Sequence, residues 1–508
     1  MTGERLGYSF GPLERRGILG PVRGGQAVLI GIGGLAGIIS LNAVSSVSGP
    51  LLAIVLMAVA VAVAFVPVAG RTAEEWIPLA WAFALRRAGA RRGWRSPVSR
   101  AGAVARPPVR RAAAPQPTSA PTTELVDPDP APPPFLHGVR ITAASYGGRR
   151  IGALLERSGR RATAVLACRV AAFTLLDQEA QERRLARWGL VLSGAAGTSI
   201  SRLQWVERTA PAQGDEMARW LHSERDPVVP LRGTPMIESY LELISSSTKV
   251  TQEHEVLLAV QVDTRRVRDR GSDAVMRALT EQTERVAHAV EAAEVSVLGA
   301  LSPGQLARTL RTAFDPFARS ELTALEAADP ARDGLSEVNA WPLGAREAWD
   351  HYQSDGALHA TYWISAWPRI EVSPMFMDAL LGHSAAVRAV AVTFEPLPAD
   401  RSTREVEAAI TRDRADRELR ARFGQSETAR QRQAAEATRR REAELAAGHA
   451  EVRLSGFVTV SGRDREDLRH ACSRVLEQAA RARLELHLLY GEQAEAFTFT
   501  LPLCRGLR

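Results

Sequence analysis

Five groups of residues are of types suited to catalysis or ligand binding, and each fails a test of spacing. Ile30-Gly-Ile-Gly-Gly-Leu-Ala36 carries the glycines of a dinucleotide-binding loop. Such a loop needs a preceding strand, a water-facing helix N-terminus for the phosphates and an acid about 20 positions on. Here no charged residue occurs from Gly24 to Gly70, and the first acid after the loop is Glu74. Ser193-Gly-Ala-Ala-Gly-Thr-Ser199 has the outline of a phosphate loop. A P-loop places a lysine directly after its last glycine to reach the outer phosphates. Thr198 stands there, and Lys249 is the only lysine in the chain. His351 and His359 flank Tyr352 and Asp355, and His254 lies between Glu253 and Glu255. A metal site wants three or four ligands at tight spacing, which neither group supplies, so these histidines read as ordinary surface or core residues. Cys168, Cys472 and Cys504 are far apart, with no metal-ligand spacing. No G-x-S-x-G nucleophile elbow occurs. The pattern is that of a scaffold, with no catalytic residue, cofactor or metal expected. A tethered enzyme would need a site converging from distant segments, for instance His351 and His359 with acids.

The uncharged run sets where the rest of the chain lies. It divides into two apolar stretches, roughly 27–44 and 51–67, with Asn42-Ala-Val-Ser-Ser-Val-Ser-Gly-Pro50 between them. A bilayer core of about 30 Å takes about 20 apolar residues as a helix, so the run predicts a transmembrane hairpin. Two long spans do not make a cleavable signal peptide. Gly33 and Gly37, four apart, are the small residues expected to let the two helices touch. Arg5, Arg15, Arg16 and Arg23 precede the hairpin, and Arg71, Arg86, Arg87, Arg91, Arg92 and Arg95 follow it. Positive flanks stay on the cytoplasmic side, so a multi-pass protein of the cell (inner, cytoplasmic) membrane with both termini inside is expected. The three cysteines are then expected as reduced, structural thiols.

A membrane module covers residues 1–100. Its last part, 71–95, reads as a basic amphipathic helix on the inner membrane surface, with Trp76 and Trp81 at headgroup depth. Nine arginines lie between Arg86 and Arg111 with no acid among them. Arg86, Arg87, Arg91, Arg92 and Arg95 are the expected membrane-surface basic residues. Attraction to anionic lipid and plain positive-inside bias both account for them; nucleic-acid contact is open but not indicated. Residues 101–135 form a Pro/Ala-rich linker that cannot bury a core.

The remainder predicts an α+β class: a cytoplasmic domain over 136–335 and a second over 336–508. Strand signals fall at Arg140–Ala144, Ala162–Val170, Glu255–Val262 and Val295–Leu298, then at Thr361–Trp367, Ala389–Phe394, Val452–Val460 and Leu484–Tyr490. Glu255-Val-Leu-Leu-Ala-Val-Gln-Val262 is nearly all apolar, as in a strand buried on both faces. Helices are expected over about 273–293 and from Ser302-Pro-Gly-Gln305, with Ser302 as N-cap. Leu468, Ala471, Cys472, Val475, Leu476 and Ala479 line one helical face, making Cys472 a core residue. Such strand–helix–strand units suggest ferredoxin-like split βαβ layers. Residues 401–445 carry 12 arginines and 9 acids and predict one long charged helix: a solvated helix laced with i,i+4 pairs, or a lever or docking arm for a partner.

Two parts resemble known families. Phe10-Gly-Pro-Leu-Glu-Arg-Arg-Gly17, the hairpin and Gly70-Arg-Thr-Ala-Glu-Glu-Trp76 resemble the PrgI-type small inner-membrane subunit of conjugative, type IV secretion-like machines. In actinobacteria this hairpin is found fused to a large cytoplasmic region. The stretch Arg441 to Val460 and the closing Glu495-Ala-Phe-Thr-Phe-Thr-Leu-Pro-Leu503 are similar to the non-motor part of the TraC/TrbE/CagE-type ATPases, where an Ala-Phe…Leu-Pro segment leads toward the motor. The similarity stops before the motor, and ATP hydrolysis is not expected of this chain. The resemblance therefore implies a membrane-anchored, non-catalytic subunit in a homo- or hetero-oligomer. It would dock a separate secretion-type ATPase at the bilayer. The alternative in the same class is a type VII secretion component of the EccE kind, which also pairs two N-terminal spans with a cytoplasmic domain.

Overall fold

Twenty and eighteen residues without a charge form the first two helices, α1 (Gly24–Ala43) and α2 (Ser48–Phe65). Both are long and apolar enough to cross a membrane. They pack side by side through small residues. A Cβ built on Gly33 would lie 2.3 Å from the Ala60 Cβ, and one on Gly37 3.6 Å from the Ala53 Cβ. Outward, Val28, Ile32, Leu35, Ile39, Leu51 and Ile54 are exposed. Gly33→Leu is therefore expected to force the helices apart at a cost of about 1–3 kcal/mol. Unfolding of the detergent-solubilised protein reads this, and adding Ala60→Gly should return part of the loss. The computed structural model describes residues 24–43, 48–66, 71–88, 93–96, 131–146, 149–156, 160–170, 173–211, 235–236, 239, 242, 252–267, 271–319, 322, 340–368, 370–382, 386–422, 429–448 and 450–506.

Helix α3 (Ala73–Ala88) follows the hairpin. The chain then runs β1 (Gly93–Arg95), β2 (Arg140–Tyr146), β3 (Arg149–Leu155), β4 (Arg161–Arg169), α4 (Gln178–Ala195), β5 (Ile200–Pro211), β6 (Gln252–Asp263), α5 (Ser272–Ala292), β7 (Ser296–Ala300) and α6 (Pro303–Phe314). Next come β8 (Gly344–Glu347), β9 (Tyr352–Ser354), β10 (Ala357–Ala366), α7 (Asp378–Leu381), β11 (Val387–Pro396), α8 (Ala399–Arg422), α9 (Ala429–Ala446), β12 (Val452–Gly462), α10 (Arg465–Arg481), β13 (Glu485–Leu488) and α11 (Gln493–Phe497). The described strands form one antiparallel sheet in the order β1-β8-β9-β10-β12-β11-β5-β6-β4-β3-β2, with β13 beside β10 and β7 beside β4.

Within that sheet one connectivity occurs twice. Strands β4 and β5 flank β6, and β6 and β7 flank β4. Strands β10 and β11 flank β12, and β12 and β13 flank β10. Each set is strand–helix–strand, strand–helix–strand, every helical connection stepping over one strand. The halves join where β5 pairs with β11, Leu203 facing Phe394 and Val206 facing Ala391. On one face α4 and α5 cover β4–β6 through Val191, Ala195, Val286 and Val290. On the same face α10 covers the second half through Leu468, Ala471, Val475 and Ala479, spaced as one helical face. Asp464 caps α10 by accepting from the N–H groups of Glu466 and Asp467. Strand β6 is buried throughout from Leu257 to Val262, as its continuous apolar run requires.

The opposite face is covered by α6 and by residues 493–506. Ser302 and Gln305 open α6 with a reciprocal capping box; Leu306, Leu310 and Phe314 enter the core. The 493–506 segment crosses the seam between the halves and is held by buried side chains of the sheet. Gln204 Nε2 donates to the Phe499 carbonyl at 2.7 Å, and Gln204 Oε1 accepts from the Cys504 N–H at 2.7 Å. Gln261 donates to the Leu503 carbonyl at 3.1 Å and Arg202 to the Cys504 carbonyl at 3.0 Å. From the second half, Thr393 donates to the Arg505 carbonyl and Thr459 pairs with Thr500.

Two sequence expectations change. The charged stretch 401–445 is two helices, α8 and α9, packed on each other. Its ends must meet, because Pro396 and Val452 are partners in the β11–β12 ladder, and one straight helix cannot return to its origin. The helix expected over 71–95 stops at Ala88; Gly93-Trp94-Arg95 is instead a strand on the edge of β8. Strands β3, β5, β8 and β9 carried no strand expectation.

Candidate functional site

The structure separates most residues singled out in the sequence. Gly31, Gly33 and Gly34 lie inside α1, where no helix N-terminus faces a phosphate. Ser193–Ser199 closes α4 and turns into β5: Gly197 takes a φ of +75°, and Thr198 donates to the Ala195 carbonyl and accepts from the Ile200 N–H. Thr198 thus closes the turn internally, with no phosphate needed to order it. His254 stands 3.4 Å from the Glu207 carboxylate on the neighbouring strand. The three cysteines are free thiols. Burial pushes Cys168 up to about 12 and raises Cys472 and Cys504, which removes thiolate character at neutral pH. Among the described residues no three His, Cys, Asp or Glu side chains are grouped to hold a metal.

His351 and His359 do not converge. His351 contacts the Asp350 carboxylate at 2.7 Å. His359 is fully buried; its Nδ1 meets Ser461 Oγ at 2.8 Å, and its Nε2 meets Ser354 Oγ at 2.9 Å and the Phe314 carbonyl at 3.1 Å. That carbonyl only accepts, so Nε2 carries the proton and Nδ1 accepts from the Ser461 hydroxyl. The Ser354–His359 pair is no nucleophile and base: the protonated Nε2 faces Ser354, the Ser354 hydroxyl donates to the Phe314 carbonyl at 2.7 Å, and both residues are 0 % exposed. Desolvation lowers His359 to about 4, with the Phe314 carbonyl acting in the opposite direction. An unfolded histidine titrates near 6.5. Between those values the unfolded chain takes up a proton that the folded chain refuses. Stability contributed at this site is thus intact above pH 6.5 and lost as pH falls toward 4. From pH 7 to 5 the loss from this residue is about 2 kcal/mol. Urea unfolding at both pH values, compared with His359→Gln, should show that much of the slope disappear.

The residues that do converge lie where α3 meets the edge of the sheet. In a helix of about 3.6 residues per turn, Trp76 and Phe83 fall on one side and Ile77, Trp81 and Leu85 on another. Trp76 stacks on Trp349 with ring centroids 5.8 Å apart and lies 5.8 Å from Tyr490. Phe83 meets Trp349 edge-on at 5.0 Å. Ile77, Trp81 and Leu85 remain exposed, Trp81 at 68 %. The shared headgroup depth expected for Trp76 and Trp81 therefore gives way to opposite roles, one ring docked on protein and one turned outward.

Charges lock the aromatic contact at both ends. Arg71 bonds Glu492 at 2.5 Å, the side chains 10 % and 9 % exposed. Arg86 bonds Glu347 at 3.1 Å and donates to the Gly491 carbonyl at 2.5 Å. Burial raises the Glu347 carboxyl, opposed by Arg86 and by the Ala494 N–H that it accepts. Strand β1 then adds to β8, with Trp94 opposite Ala345. Glu74 ties the same helix to the hairpin, accepting from the Gln26 N–H at 3.0 Å. Of the basic residues expected at the membrane surface, Arg86 is held by Glu347, Arg87 and Arg95 are exposed, and Arg91 and Arg92 lie outside the described residues. Arg71, Glu347, Trp349, Tyr490 and Glu492 gave no local signal, because they meet only in the fold.

A family model, type VII ESX secretion system translocon, EccE, matches residues 250–364. The matched stretch runs from β6 to β10 and includes Glu347 and Trp349, the floor on which α3 docks. Comparison with curated proteins gives no match.

Proposed function

We propose that this chain is a membrane-anchored, non-catalytic component of a secretion translocon of the type VII kind. The observation that carries the proposal is the EccE match over 250–364, coupled to two apolar N-terminal helices. Helices α1 and α2 cross the bilayer with Gly33 and Gly37 at their contact, both flanks on the cytoplasmic side. Helix α3 lies at the inner surface, its Ile77–Trp81–Leu85 face toward lipid and its Trp76–Phe83 face holding the sheet close beneath. Exposed Arg87 and Arg95 add attraction to anionic headgroups. We read both halves of the sheet as ferredoxin-like units, a reading supported by their twice-repeated strand order. The α8–α9 pair is then an arm for partner subunits.

The type IV reading, with PrgI-like hairpin and trans-acting ATPase, has no comparable support. Affinity purification of the tagged full-length protein from solubilised membranes separates the two. Co-recovery of type VII secretion components is the expected result. Recovery of a conjugation-type ATPase instead, lost when residues 340–508 are deleted, would replace this proposal with the type IV one. Recovery of the chain alone would count against both.

A further inference from the structure

Beside the α3 contact lies a groove of about 740 Å³, walled by α3, by β8 and β9, and by the start of α10. Its carboxylates already have partners. Glu347 is held by Arg86 and the Ala494 N–H. Asp355 is held by Arg311 and the N–H groups of Leu343 and Gly344. Asp464 caps α10. Arg87, Arg346 and Arg465, one from each wall, also line the groove. All three residues are exposed, and among the described residues none has a carboxylate partner. Phe83 and Trp349 supply an apolar side. Arg463 lines the groove too, its guanidinium over the Phe317 ring, so the groove combines a cluster of exposed arginines with an aromatic surface.

We propose that this groove binds a phosphate ester with an organic body. Guanidinium groups bond phosphate oxygens in a planar, two-pronged fashion and are the side chain suited to that geometry, while Phe83 and Trp349 pack the body. Two sources offer this chemistry: the headgroup of an anionic phospholipid, or a soluble phosphorylated compound. The lipid source rests on the membrane reading above, because it requires α3 to lie on the bilayer; the soluble source does not.

The test uses full-length protein in neutral detergent and follows its thermal unfolding. Dihexanoyl phosphatidylglycerol, inositol hexakisphosphate and inorganic phosphate are titrated separately. The variant is Arg346→Glu with Arg465→Glu, both outside α3 and the hairpin. The control is Arg439→Glu with Arg440→Glu, which makes the same charge change on exposed residues of α9. At least one organic phosphate should raise Tm in wild type and control, with apparent affinity falling about tenfold or more in the variant. A response to the phosphatidylglycerol alone assigns the headgroup; a response to the inositol phosphate alone assigns a soluble ligand. If Arg346→Glu/Arg465→Glu lowers the unliganded Tm, Arg346→Gln/Arg465→Gln replaces it. No response to any of the three probes, an equal response in variant and wild type, or inorganic phosphate binding as well as either ester would overturn the proposal. Membrane fractionation of the same cells keeps the two readings apart: a protein that stays in the membrane but shows no response has lost only this proposal.

Discussion

Replacing Gln204 with Ala is expected to cost roughly 2–6 kcal/mol, a large effect for one neutral, polar side chain. Gln204 is 0 % exposed and sits in β5 at the seam of the two halves. Its amide satisfies two backbone groups at once, the Phe499 carbonyl and the Cys504 N–H. Truncation leaves both buried without that partner, and each orphaned group costs about 1–3 kcal/mol. The loss is not confined to β5. The 493–506 segment bridges Arg202, Gln204 and Gln261 of the first half to Thr393 and Thr459 of the second. Loosening it should weaken both halves together. Urea unfolding of the full chain should therefore show a lower midpoint in a single transition. Gln204→Glu makes a sharper test, since it keeps the shape and the acceptor for Cys504 but sets a carboxylate oxygen against the Phe499 carbonyl. It should be worse at pH 8 than at pH 5, where the protonated acid can donate as the amide did. A Gln204→Ala protein as stable as wild type would mean that the segment is not held through this side chain.

What could be read from the sequence depended on whether one element carried its own pattern. Strand β6 has a continuous apolar run, α10 an apolar face, and α6 a Ser-Pro-x-Gln opening; each states its structure within a dozen residues or so. Strand β5 does not. In Ile200-Ser-Arg-Leu-Gln-Trp-Val-Glu-Arg-Thr-Ala-Pro211 the buried positions include Gln204, Arg208 and Thr209, so the period of two is masked. Arg208 is tolerated inside because Glu255, the Thr309 carbonyl and Thr312 surround it. Two of those partners lie about a hundred positions away, beyond any local reading. The same limit hid the α3 site. An apolar helix after a hairpin was legible, but which face meets lipid and which meets protein depends on Trp349 and Tyr490. Strands β8 and β9 are four and three residues long, too short to show alternation.

Breaking the Arg71–Glu492 pair is the second large effect expected. Both side chains are about nine-tenths buried, so removing either one leaves the other out of water and without the charge it bonds here. Such a change costs about 3–5 kcal/mol, whereas exchanging both for apolar residues of similar size is often neutral. Arg71→Met and Glu492→Met should each destabilise strongly, while the double variant recovers much of the loss. The site adds a local readout. Arg71 stands two residues before α3 and beside Trp76, its guanidinium 5.9 Å from the ring, and Glu492 follows Tyr490 closely. A single variant should therefore free Trp76 from Trp349 and Tyr490 and weaken the near-ultraviolet circular dichroism of those stacked rings. The double variant should restore it, because the aromatic contact itself is intact. If the single variants unfold at the wild-type midpoint with the aromatic signal unchanged, the pair does not hold α3 to the sheet. The anchoring would then rest on the aromatic stack and the Arg86–Glu347 bond. The order of these outcomes separates two ways of tying a membrane helix to a soluble domain: through a buried charge pair that specifies one docked position, or through apolar contact that tolerates several.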